Sequence, residues 1–185
     1  LMAIQNGHDI ERDPYKKTRL FGEEWARTFA KVGGNGAQAT AFIDKWAVTS
    51  DFSQMRFPSR AAIARVTRLA RASAPGPDGT PYPARKVAGE KAEQTLFLLL
   101  AELSSGAPSP YGLNDLITAF IPKGRQEDGD FEVVRSPSNT RPLGLKNTDT
   151  KVLAAAWNFE CSKVIRDSAC CHQRGFVKNR QLLNN

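Results

Sequence analysis

The chain has 185 residues, 41% of them hydrophobic, with a net charge of +7 and three cysteines. That length suits one domain, or one domain with an appended segment, and supplies enough apolar side chains for a core. The basic balance favours a polyanionic partner such as nucleic acid, or an acidic membrane surface. No apolar run approaches the ~20 residues needed to span a bilayer, and an odd cysteine count with one adjacent pair (Cys161, Cys170, Cys171) is no disulfide framework.

In chain order, residues 9–31 read as a helix with Leu20, Trp25 and Phe29 among its apolar positions, broken by the glycine-rich stretch 32–40. Phe42, Ile43, Trp46 and Val48 follow and read as packing residues. No chemistry attaches to residues 1–50, which form an upstream helical or linker segment; the second division is 51–185. Pro58 and Ser59 offer a helix start with Ser59 as N-cap. The next segment, RAAIARVTRLARA, is amphipathic: Ile63, Val66, Leu69 and Ala70 share one side, and Arg60, Arg65, Arg68 and Arg71 the other. That basic face is either a solvated surface or one that meets nucleic-acid phosphates.

A second helix fits residues 84–103, weakened at Gly89 and ended by Ser104-Ser105-Gly106. Residues 116–122 (LITAFIP) read as a strand. FEVV (131–134) and the stretch around 143–145 read as its partners, beyond a polar loop at 124–130. A third helix fits 148–165, with Val152, Leu153, Ala156 and Phe159 toward a core, and a last helix begins near residue 179. Cys170, Cys171 and His172 lack a second ligand pair at finger spacing, so small buried thiols are the better reading of the cysteines.

Four short motifs carry what chemistry the chain announces: APGPDG (74–79), IPKG (121–124), RPLGL (141–145) and QRGFVKNR (173–180). Pro77-Asp78-Gly79 is a turn by mechanism, since proline presets φ, aspartate bonds nearby amides and glycine accepts φ > 0. It either offers backbone amides to a phosphate or simply stops the helix before it. Lys123 sits at a strand tip and Arg141 where the chain returns, so a two-stranded turn brings the two cations near each other. A nucleotide triphosphate is an anion that such a pair would share; solvent-facing strand ends are the other reading. In the fourth motif, Phe176 is an apolar anchor or a stacking surface, and Gln173 and Arg180 are candidates for base or phosphate contact.

In this order and spacing, the four motifs resemble successive blocks of the fingers of a reverse transcriptase, the RNA-directed DNA polymerase of retrotransposons without long terminal repeats. The resemblance covers about residues 58–185. It implies an α+β fold, the fingers subdomain of a right-hand polymerase, in which helices pack on a small antiparallel β-hairpin and the palm is truncated. By that resemblance Lys123 and Arg141 bind the incoming dNTP. Arg65, Arg68, Pro77, Asp78, Gly79, Gln173, Gly175, Phe176 and Arg180 lie along the template. The loop between Lys123 and Arg141 is longer than is usual and carries Glu127, Asp128 and Asp130; Asn179 stands where glycine is common; and RPLGL also resembles the group II intron enzymes.

The family joins nucleotides with two Mg2+ ions held by palm carboxylates, including an aromatic-x-Asp-Asp turn. The sequence has no such turn. The expectation is therefore a fragment that binds no metal, does not polymerise alone, and in the complete enzyme works with an RNA template, a DNA primer and the palm and thumb. The same expectation gives it no membrane partner and leaves its location unknown, intracellular, nuclear or cytoplasmic being inferred only from the parent's role. The alternative is a non-enzymatic nucleic-acid-binding remnant of a mobile element; a helical protein-interaction domain is a more distant rival.

Overall fold

The computed structural model describes residues 2–30, 33–47, 50–124 and 132–169. Its elements run β1 (Met2–Asn6), β2 (Asp9–Glu11), α1 (Pro14–Phe29), α2 (Gly36–Trp46), α3 (Arg60–Leu69), α4 (Tyr82–Ser104), β3 (Leu116–Pro122), β4 (Val133–Arg135), a 3-10 turn (Pro137–Asn139), β5 (Thr140–Lys146) and α5 (Thr148–Ser168). The protein is a mixed α+β chain. Its contacts group into two compact units, residues 1–36 with 118–144, and residues 37–117 with 145–185.

In the first unit, Gly7 takes φ 64° in the tight turn between β1 and β2, a backbone state that favours glycine. β1 pairs antiparallel with β2 (Gln5 opposite Ile10) and parallel with β4 (Ala3 opposite Val134). As the middle strand, it buries Ala3 and Ile4 completely. Helix α1 begins where Asp13 accepts from the amides of Tyr15 and Lys16, each at 2.9 Å, with Pro14 in the first turn. Phe21, the buried residue of α1, stacks on Phe120 of β3 with centroids 4.0 Å apart. The Arg12 guanidinium meets the Glu132 carboxylate at 2.6 Å.

Two expectations are corrected here. Residues 9–11 are strand, not helix: they pair with β1, and the Asp13-Pro14 start signal lies inside the stretch read as one helix. The FEVV region does not pair with β3. Its strand, β4, pairs with β1 from the far end of the sequence, while β3 pairs with β5. The 3-10 turn separates β4 from β5, held by the Thr140 hydroxyl donating to the Pro137 carbonyl at 2.6 Å. β1 and β2 form an antiparallel hairpin that the sequence reading did not anticipate, and the strands bearing IPKG and RPLGL form a separate two-stranded pair.

The second unit is built on α3, α4 and α5. Ile63, Tyr82, Leu96, Leu100, Val152, Leu153 and Ala156 form its core, with Val66, Leu103 and Trp157 packed around them. Fully burying such aliphatic side chains contributes roughly 1.5–3 kcal/mol each. Ser59 caps α3, its Oγ accepting from the Ala62 amide at 3.2 Å. Gly89 is non-helical inside α4 (φ 53°, ψ −131°), so α4 is two helical pieces joined at a kink. Phe42, Ile43 and Trp46 of α2 do not pack as expected. They are 65%, 57% and 64% exposed, and α2 buries no residue. Val48, the loop 125–131 and the expected helix near 179 lie outside the described residues. Among the described residues, no helix is long and apolar enough to cross a membrane.

Candidate nucleotide and nucleic-acid interface

Lys123 follows the last residue of β3, and its amide donates to the Asn139 carbonyl at 2.9 Å. Its side chain is exposed but engaged: Nζ donates to the Ser138 carbonyl at 2.9 Å. Arg141, in β5, is exposed and forms no side-chain hydrogen bond or ion pair among the described residues. The pairing of β3 with β5 puts the two motif-bearing strands side by side in the first unit.

A further cation lies beside Lys123. Arg135 of β4 donates from Nε to the Lys123 carbonyl at 3.1 Å, and its guanidinium lies 4.0 Å from where a Cβ on Gly124 would stand. Sequence reading missed Arg135, because it lies twelve positions away across an acidic loop and belongs to no motif. Its contact with Lys123 depends on the pairing of β4 with β1, which no local pattern announces.

The APGPDG turn belongs to the second unit and is clamped by the start of α5. Gly79 (φ 66°) donates to the Gly76 carbonyl at 3.0 Å, and the Thr80 amide donates to Asp78 Oδ1 at 3.1 Å. The Asp78 amide donates to Asn147 Oδ1 at 3.1 Å, and Asn147 Nδ2 donates to the Gly112 carbonyl at 3.0 Å. Thr148 Oγ1 donates to the Thr80 carbonyl at 2.9 Å and Lys151 Nζ to the Ala74 carbonyl at 2.8 Å. Asn147 and Thr148 are both buried.

Gly76 has no room for a side chain: a Cβ there would collide with the Asn147 amide nitrogen and the Lys146 carbonyl carbon. The amides of Asp78, Gly79 and Thr80 are thus satisfied internally, while Pro77, Asp78 and Gly79 stay exposed. Asn147, the hub of this clamp, was not singled out from sequence. Its signal was its position immediately after the strand of RPLGL, ahead of a helix.

The two arginines assigned to the template face of α3 differ in surroundings. The Arg65 guanidinium lies over the Phe159 ring, 5.0 Å from its centroid, a cation–π contact within the unit. Arg68 is exposed and makes no such contact. Beside them, Arg85 of α4 meets Asp149 of α5 at 2.6 Å. Burial pushes the Asp149 carboxyl above its usual range, with Asp78 adding to the push, against the pull of Arg85.

Gln173, Gly175, Phe176 and Arg180 lie outside the described residues, as do Cys170 and Cys171. Cys161 is partly buried, its sulfur 3.2 Å from that of Met55. Among the described residues no group of three or more His, Cys, Asp or Glu side chains could hold a metal ion. No protein-family model and no curated protein matches the chain.

Proposed function

We propose that this chain is a nucleic-acid-binding fingers portion of a retroelement reverse transcriptase, engaging template and incoming dNTP without performing phosphoryl transfer itself. The observation that carries the reading is the clamp that holds the APGPDG turn against the start of α5. APGPDG and the residues directly after RPLGL are nearly seventy positions apart, yet Gly76 tolerates no Cβ against the Asn147 backbone. A turn that merely stopped a helix would not need that fit. In support, IPKG and RPLGL lie on paired strands, and the chain carries an excess of positive charge.

In this reading Lys123 and Arg141 hold the triphosphate, as a point charge and a planar fork respectively. Lys123 gives up its bond to the Ser138 carbonyl when phosphate oxygens replace it. The α3 face and the Pro77-Asp78-Gly79 turn follow the template. The contribution to catalysis in the complete enzyme is positioning and charge stabilisation.

The test is binding of a labelled single-stranded RNA across a salt series. The reading requires log affinity to fall linearly with log salt, by about 0.7 per phosphate neutralised. Absence of RNA binding at low salt would remove the reading and leave a protein-interaction domain.

A further inference from the structure

Lys123 has three polar groups, and one short segment engages them all. Its amide donates to the Asn139 carbonyl at 2.9 Å, its Nζ donates to the Ser138 carbonyl at 2.9 Å, and its carbonyl accepts from Arg135 Nε at 3.1 Å. Residues 135–139 run from the end of β4 through the 3-10 turn, all within the first unit.

The three bonds fare differently when an anion arrives. A phosphate that takes the ammonium displaces the bond to Ser138. The two main-chain bonds use groups that a phosphate does not need, so they stay. A lysine ammonium rides on a flexible four-carbon stem, and its reach is set by where its main chain is held. The Asn139 bond joins backbone to backbone. Arg135 is thus the side chain among these partners that holds Lys123 while its ammonium is in use.

The geometry of the arginine suits holding better than ligand contact. Its side chain spans two carbonyls, with Nε on Lys123 at 3.1 Å and Nη1 on Val134 at 2.8 Å, and the residue is partly buried. Its Nη2 lies 4.0 Å from where a Cβ on Gly124 would stand, at a position whose φ of 88° favours glycine. Arg135 is itself set by strand register: it stands opposite Ile4 in the parallel pair of β1 and β4, and Ile4 is completely buried.

We propose that Arg135 is a positioning residue of the nucleotide site, fixing the Lys123 main chain so that the ammonium meets the triphosphate, without touching the nucleotide itself. The proposal rests on the reading of Lys123 as a triphosphate-binding lysine. It also brings β1 into the frame of the site, since the pairing of that strand places Arg135.

The experiment measures binding of a fluorescently labelled deoxynucleoside triphosphate, on an RNA template with a DNA primer. The proteins are wild type, Arg135→Met, Arg135→Lys, Lys123→Ala and each Arg135 variant combined with Lys123→Ala, with RNA affinity and melting temperature for each. Arg135→Met keeps the stem and removes both charge-assisted bonds. It should weaken triphosphate binding about tenfold with RNA affinity nearly kept. In the Lys123→Ala background it should cause no further loss, because it acts through the missing ammonium. Where Arg135→Met melts below the assay temperature, Arg135→Lys carries the test: it keeps the charge but not the fork that spans two carbonyls, and should cost about threefold, again only when Lys123 is present.

Losses that add to that of Lys123→Ala would mean that Arg135 touches the nucleotide or only supports the fold, and would overturn the proposal. So would triphosphate binding that depends on Lys123 but is unchanged in the folded Arg135 variants; the wider reading would then stand. Triphosphate binding that is absent in wild type, or indifferent to Lys123→Ala, would overturn both.

Discussion

At the scale of single residues, the tightest constraint in the described chain is Gly76. Its Cβ position is filled by backbone atoms at Lys146 and Asn147, and backbone cannot step aside as a flexible side chain can. Gly76→Ala should therefore destabilise the protein by about 1–3 kcal/mol, the usual cost of overpacking, read as a lower urea midpoint with an unchanged m-value. Asn147→Ala would relieve only part of the clash, since backbone atoms remain.

Asp149 is the second such residue. Its carboxyl is raised from the ordinary 3.8, chiefly by burial, despite the Arg85 guanidinium. A raised folded value means that the folded state binds the proton more tightly than the unfolded one. The resulting stability is fully present below about 3.8 and lost as pH rises through the raised value. Compared with Asp149→Asn, wild type should be relatively most stable in acid and should lose that advantage with rising pH. A relative stability that instead grows with pH would mean that the Arg85 pair outweighs burial.

At the scale of elements, legibility followed the locality of the cause. Helix α3 was readable because Ser59 and the spacing of Ile63 and Val66 are local; its cap and those positions are where the pattern puts them, but Leu69, expected on the same buried side, is 64% exposed. Helices α4 and α5 and strand β3 were legible for the same reason. Strand β2 was lost inside a helical pattern, since three residues are too few for an alternation to register. Strand β4 was seen but given the wrong partner, because β1 lies at the other end of the chain and hydrophobic pattern carries no pairing information. Helix α2 misled in the opposite sense: Phe42, Ile43 and Trp46 have helical spacing, but spacing alone does not supply a surface to pack on.

Gly89 was read as a weakness of α4 and is its joint. At φ 53° and ψ −131°, any residue with a Cβ is strained. Gly89→Ala should cost about 1–3 kcal/mol, rather than gain stability as glycine replacement does in a regular helix. A higher melting temperature in that variant would show that the two pieces of α4 can join as one helix.

At the scale of the whole molecule, charge and motifs together carry the proposed task. The net +7 and the basic face of α3 predict salt-sensitive binding to RNA. Lys123 and Arg141 were picked out through their motifs, and the strands that carry those motifs, β3 and β5, pair with each other. What the sequence concealed is the set of residues that hold motif residues in place. Arg135 and Ser138 engage Lys123, and Asn147 engages the turn; each acts through tertiary contact and carries no signature of its own. The +7 charge alone would make RNA binding unremarkable, so nucleotide recognition is the sharper claim.

The most direct measurement is cross-linking of a photoreactive deoxynucleoside triphosphate to the chain on an RNA template with a DNA primer, with the labelled peptides mapped. The proposed fingers require label in the segments bearing Lys123 and Arg141, and a severalfold loss of it in Lys123→Ala and in Arg141→Ala with RNA affinity nearly kept. Label that is absent from those segments, or that persists unchanged in both variants, would contradict the assignment of a nucleotide-binding fingers portion.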